Sequence, residues 1–225
     1  MTDKPNIVFL FDVDNTLLDN DRVQAHLSEH LAKHYGTAAR DRYWEILRDL
    51  VDELGYTDYL GALERYRVEA LHRPEILLMS SWLVDYPFAE RLFPGAFEVI
   101  KHVQQWGQAV ILSDGDAVFQ PRKVERSGLW HAVNGRVLIY INKERELAYV
   151  ERLYPADRYV LIDDKLRILT AVKKIWGERV TTVFPKQGHY AHDSAILAAN
   201  PRADIELDSI GDLLAYDLGA LLNRG

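Results

Sequence analysis

The chain has 225 residues, 48% of them hydrophobic and 27% charged, with no cysteine and a net charge of −7. That length suffices for one large domain, or a core with a smaller partner, and the composition argues against wholesale disorder. The acidic balance gives no general attraction for nucleic acid, the lack of cysteine removes thiolate chemistry, and no apolar run reaches membrane-spanning length.

The run Ile7–Phe11 is unbroken apolar sequence and ends in Asp12-Val13-Asp14-Asn15-Thr16. It predicts a central parallel strand buried on both faces, with two acids at its carboxyl end, where α/β sheets bind ligands. Asn20 or Asp21 is expected to cap a helix through Val23, Leu27 and Leu31 that stops at Gly36. Further helices are expected through Tyr43 to Leu50, Tyr59 to Ala70, and after Pro74 through Ile76 and Trp82. About seventy residues with helical periodicity alone predict a helical subdomain at 19–91, inserted into a core of 1–18 and 92–225.

After Pro94-Gly95 the pattern alternates. A helix through Phe97 and Val103 precedes the strand Ala109–Leu112, which leads into Ser113-Asp114-Gly115-Asp116. A helix over about 118–127 precedes the strand Arg136–Ile141, which leads to Lys143, and another helix runs to about Tyr154. The strand Tyr159–Ile162 ends in Asp163-Asp164, a helix follows over Leu166–Trp176, and strands are expected at Arg179–Phe184 and Asp204–Leu207. Such alternation predicts an α/β fold, a Rossmann-like, mostly parallel sheet with helices on both faces.

The strand ends collect Asp12, Asp14, Ser113, Lys143, Asp163 and Asp164. Carboxylates crowded together repel one another unless a divalent cation neutralises them, and oxygen ligands suit Mg²⁺. A carboxylate attacking a phosphate ester needs positive charge and donors on the non-bridging oxygens, a need that Mg²⁺, Lys143 and Ser113 meet. A second acid is then required to protonate the leaving alcohol and activate water, and Asp14 suits that role.

The ordered set Asp12-Val13-Asp14-Asn15-Thr16, Ser113, Lys143 and Asp163-Asp164 resembles the motifs of the haloacid dehalogenase superfamily, in its phosphatase-type branch with a helical cap. The resemblance covers most of the chain. It implies Asp12 as nucleophile and metal ligand, Asp14 as acid/base with its carbonyl on the metal, and Ser113 and Lys143 as phosphate ligands. Asp164 would coordinate metal directly and Asp163 through water, whereas the family's further acid falls on Ile168.

Asp114 joins the phosphate-binding candidates through its loop, although it and Asp116 also suit a helix cap. Lys123, Lys165 and Lys186 read as solvated lysines, Lys123 lying too deep in a helix to reach phosphate. His189 and His192 read as structural or exposed, Trp44, Tyr59, Tyr66 and Trp82 as filling of the helical block, and its arginines as solvated. The expectation is an Mg²⁺-dependent cytoplasmic phosphatase of a small phosphorylated metabolite, without nucleic-acid or membrane partners; the opening Met1–Pro5 carries no signal-peptide pattern. A phosphotransferase or mutase, or a non-catalytic phosphate-binding protein, would use the same residues.

Overall fold

The computed structural model describes residues 6–71 and 76–219. Six strands, β1 (Ile7–Phe11), β2 (Gln108–Asp114), β3 (Val137–Tyr140), β4 (Arg158–Ile162), β5 (Val180–Pro185) and β6 (Ile205–Leu207), form one sheet in the order 3-2-1-4-5-6. Every neighbouring pair is parallel. Strand order runs outward from β1 in both directions, so the carboxyl ends of β1, β2 and β4 lie side by side at the reversal point, where such sheets open a crevice.

Both faces of the sheet are covered. Ile7, Phe9 and Phe11 enter one apolar cluster while Val8 and Leu10 enter another, as alternation along a strand requires. The first cluster holds α5 (Ala96–Val103), α6 (Phe119–Arg126) and α7 (Leu129–Ala132) through Val99, Phe119 and Leu129. The second holds α8 (Leu147–Leu153) and α9 (Leu166–Trp176) through Val150, Ile168 and Val172. Helices of this length cross from strand to parallel strand and leave no face for water, which explains why β1 reads as an unbroken apolar run.

Between β1 and β2 lie α1 (Asn20–Tyr35), α2 (Thr37–Leu54), α3 (Tyr59–Glu69) and α4 (Leu77–Val84). Val23, Leu27, Tyr43, Leu47, Leu63, Met79 and Leu83 continue the first cluster, so this block packs on the same face as α6. Its two connections run together: Phe93 N–H donates to the Leu17 carbonyl and Asp19 N–H to that of Arg91, at 2.9 and 2.8 Å. The cap of α1 is Asp19, whose Oδ1 accepts from Arg22 N–H at 2.9 Å, rather than Asn20 or Asp21. Those two residues are drawn instead to the Asn15 side chain, whose Oδ1 accepts both of their backbone N–H groups. Pro74 lies outside the described residues. Among the short pieces that the sequence does not announce are α7, α10 (Ser194–Ala199) and the 3₁₀ turn Ile210–Ala215. No helix among the described residues is long and apolar enough to cross a membrane.

Candidate active site

The loop after β1 carries the first two acids and is held from three sides. Asp12 N–H donates to the Ile162 carbonyl at 2.9 Å, which seats it against β4. Thr16 Oγ1 accepts from Asp164 N–H at 3.0 Å, and Gln187 Nε2 donates to the Thr16 carbonyl at 3.0 Å. Asn15 sits in the left-handed region at φ 59°, a conformation asparagine tolerates. Gly188 allows this packing, since a Cβ there would lie 2.6 Å from the Asn15 side chain.

Asp12, Ser113, Lys143, Asp163 and Asp164 are all buried and converge at the sheet's reversal point. Lys143 Nζ lies 2.5 Å from Asp12 Oδ1 and 2.6 Å from Asp163 Oδ2, and donates to the Leu112 carbonyl at 3.2 Å. Ser113 Oγ donates to Asp12 Oδ1 at 3.4 Å. Burial alone would push the Lys143 ammonium down; Asp12, Asp163 and Asp114 outweigh that and raise it above the lysine range. Burial pushes Asp164 well up, reinforced by Asp12 and Asp163, and raises Asp163 against the pull of Lys143.

Asp12, Asp163 and Asp164 each offer an oxygen within 4.8 Å of the others. Asp12 Oδ2 and both Asp164 oxygens are buried without a hydrogen-bond partner. Leaving such groups unpaired costs roughly 1–3 kcal/mol each, more when they are charged. Three carboxylates against the ammonium groups of Lys143 and Lys165 still leave net negative charge, and a divalent cation on the orphaned oxygens would satisfy them. The residues therefore fit a hard metal ion.

Asp14 faces a cavity of about 640 Å³, bounded by Val51, Tyr56 and Tyr59 of the helical block, by Asn142 and Lys165, and by Tyr190 and Ile196. Its carboxylate is gripped by Lys123, whose Nζ donates to Oδ1 at 2.7 Å and Oδ2 at 2.9 Å. Gln120 Nε2 reaches Ser113 Oγ at 3.0 Å and Asp14 Oδ2 at 3.4 Å. Lys123 is thus no solvated lysine: it is 0% exposed and belongs to the acid loop. Lys165 is partly buried beside the acids, with Nζ 5.7 Å from the Tyr190 ring centre. The signal that would have found Lys123 is its place on the inner face of α6, between Phe119 and Val124, both buried.

The remaining candidates divide. Asp114 turns its carboxylate to Lys143 N–H, 2.7 Å from Oδ1, so its side chain aims the Lys143 loop; burial pushes it up to about 6. Asp116 caps the start of α6, with Oδ1 accepting from Val118 and Phe119 N–H at 2.8 and 2.6 Å. His189 pairs with Asp21 at 2.7 Å and ties the segment after β5 to α1. Tyr59 is buried in the helical block as expected, and its hydroxyl accepts from Gln24 Nε2 at 2.9 Å. Arg65 and Arg67 pair with Glu53 and Glu64.

The site is thus an acid triad, a lysine and a serine gathered at the reversal point of a doubly wound parallel sheet. Residues 8–175 match the haloacid dehalogenase-like hydrolase family, and the chain belongs to it. It is 57% identical to a haloacid dehalogenase-like hydrolase of Burkholderia xenovorans LB400, with a TM-score of 0.91 over 96% of this chain and 99% of that one. Two more distant structures share the fold. One is the HAD-hydrolase YfnB of Bacillus subtilis bound to magnesium (18% identity, TM-score 0.62, 98% and 100% covered). The other is the L-2-haloacid dehalogenase of Xanthobacter autotrophicus (15% identity, TM-score 0.63, 94% and 98% covered). No curated protein matches the chain.

Proposed function

We propose that this hydrolase is an Mg²⁺-dependent phosphatase of a small phosphorylated metabolite, working through an aspartyl phosphate. The observation that carries the reading is Asp14, a second acid facing the cavity two residues from Asp12. Displacing a halide leaves an anion that needs no proton, so a dehalogenase has no work for it. Displacing an alcohol from phosphorus does need one.

Asp12 attacks phosphorus through a carboxylate oxygen, the ester P–O bond breaks, and the departing alkoxide takes its proton from Asp14. Water then gives a proton to Asp14 as its oxygen attacks the same phosphorus; phosphate departs and Asp12 is restored. Lys143 and Ser113 hold the non-bridging oxygens throughout, with Asp114 fixing the backbone from which Lys143 extends. The Asp12 and Asp164 oxygens that lack partners would hold Mg²⁺, with the Asp14 carbonyl completing the set and Asp163 acting through water. A bound Mg²⁺ supplies charge neutralisation among the acids and on the phosphoryl oxygens. Residues 19–91 form a cap over a core of 1–18 and 92–225, and the bridged segments at Leu17–Asp19 and Arg91–Phe93 are its hinge.

The test is phosphate release from a phosphomonoester panel with Mg²⁺, then with EDTA, beside halide release from 2-haloacids. Phosphate release abolished by EDTA is expected. Halide release without phosphate release would overturn the reading, and phosphate appearing only on an added sugar acceptor would make the protein a phosphotransferase.

A further inference from the structure

We infer that Lys123 is a positioning residue that couples the orientation of Asp14 to the seating of the helical block. The inference rests on the phosphatase reading for its catalytic consequence, not for its structural one. Lys123 lies on α6, in the core, with no exposed surface. Its ammonium takes both oxygens of Asp14 and, at 3.1 Å, Asn20 Oδ1, the first residue of α1. Asn20 Nδ2 continues to the Tyr59 hydroxyl of α3 at 3.4 Å. The rings of Tyr59 and Phe119 close around the ammonium, their centres 5.9 and 5.4 Å away.

One buried cation is therefore shared by three parts: the acid loop, the core helix and the entrance to the inserted helices. A buried ammonium is tolerated only while it keeps its partners. If α1 and α3 swing away, Asn20 and the Tyr59 ring leave and water reaches Lys123. Its hold on Asp14 then weakens, because an exposed ion pair is worth far less than an enclosed one. With the block seated, Asp14 is fixed toward the cavity; with it unseated, Asp14 is free to rotate. Proton transfer is then confined to the closed form, where bulk water is excluded. Lys123 touches neither phosphorus nor the leaving oxygen in this scheme and acts through Asp14 alone.

The experiment compares the full-length wild type with Lys123→Met, Asp14→Asn, the double variant and Asn20→Ala. Three readouts are used: steady-state kinetics on a phosphomonoester with Mg²⁺, acid-quenched phosphoenzyme, and hydrogen exchange of peptides spanning 17–24 and 59–69. Lys123→Met is expected to lower kcat by about 10–100-fold, within the range a misplaced acid/base loses, with KM changed by less than about threefold. Phosphoenzyme should both form and break down more slowly than in the wild type, because Asp14 serves both steps. Adding Lys123→Met to Asp14→Asn should change kcat by less than about twofold, the non-additivity of residues acting as a unit. Exchange in both peptides should rise in Lys123→Met and in Asn20→Ala, which breaks the bridge without stranding a charge. Independent, multiplying losses in the double variant, or unchanged exchange in folded Asn20→Ala, would overturn the inference. A wild type that hydrolyses no phosphomonoester would sink the phosphatase reading, leaving the exchange result to decide the coupling alone.

Discussion

Lys143 and Lys123 both grip an acid of the loop after β1, and both are buried, yet they bind that loop to different bodies. Lys143 holds Asp12 against Asp163 and the Leu112 carbonyl, all at the ends of neighbouring parallel strands. Lys123 holds Asp14 against Asn20, which belongs to the helical block. Asp12, the proposed nucleophile, is thus locked into the sheet, while Asp14, the proposed proton carrier, is fastened across a boundary. In the proposed reaction this division is useful: attack requires a fixed carboxylate, whereas proton delivery is wanted only once the site is covered.

Breaking the first arrangement gives the largest effect. Lys143→Met should lower phosphatase kcat by about 10²–10³-fold, as loss of a charged donor to the reacting oxygens does, while exchange over 17–24 stays at the wild-type level. A rise in that exchange would erase the contrast between the two lysines.

Stability sharpens it further. Asp14→Ala strands a fully enclosed ammonium and should cost about 3 kcal/mol by denaturant unfolding, whereas Asp14→Asn, which keeps an acceptor oxygen, should cost less than half of that. Equal costs would mean that Lys123 draws little from Asp14.

Asp114 supplies a pH-dependent test on the Lys143 side. Its carboxyl rises from 3.8 to about 6 because burial outweighs the attraction of Lys143, so the folded chain binds that proton more tightly than the unfolded one. Stability from this group is present below pH 4, falls between about pH 4 and 6, and the deficit persists above. Asp114→Asn should therefore match the wild type near pH 4 and exceed it by roughly 2 kcal/mol at pH 7.5, measured in EDTA. The smallest effect belongs to the rim, where Arg122 and Arg126 approach Asp85 of the helical block at 3.5 and 3.9 Å with all three side chains substantially exposed. Asp85→Ala should change stability by less than about 0.5 kcal/mol, despite bridging the same two bodies as Lys123.

Lys143 was legible in the sequence because it follows a strand and its neighbours in the motif order are acids with a shared chemical need. Strand ends announce themselves through apolar runs that stop at polar residues, and β1, β2 and β4 each do so. Lys123 was harder to read: its place on the inner face of α6 is a signal, but a lysine inside an amphipathic helix ordinarily points to water and its partner lies 109 residues away in the chain. Gln120 and Gln187 reach the loop after β1 from 106 and 171 residues away in the chain, which no short-range pattern announces. The start of α1 was misplaced by one or two residues, since Asp19, Asn20 and Asp21 are all good caps and only the Asn15 side chain decides among them. The α7 and α10 helices are too short to leave a periodic trace.

The most direct test of the phosphatase account is to locate the covalent intermediate. Wild-type protein is mixed with Mg²⁺ and a phosphomonoester labelled at phosphorus, quenched in acid within milliseconds, digested and mapped. Label is expected on Asp12, removable by hydroxylamine as an acyl phosphate is, and absent from Asp12→Asn. Phosphate release that persists in Asp12→Asn, or turnover with no label on that peptide under conditions that trap the intermediate, would contradict it.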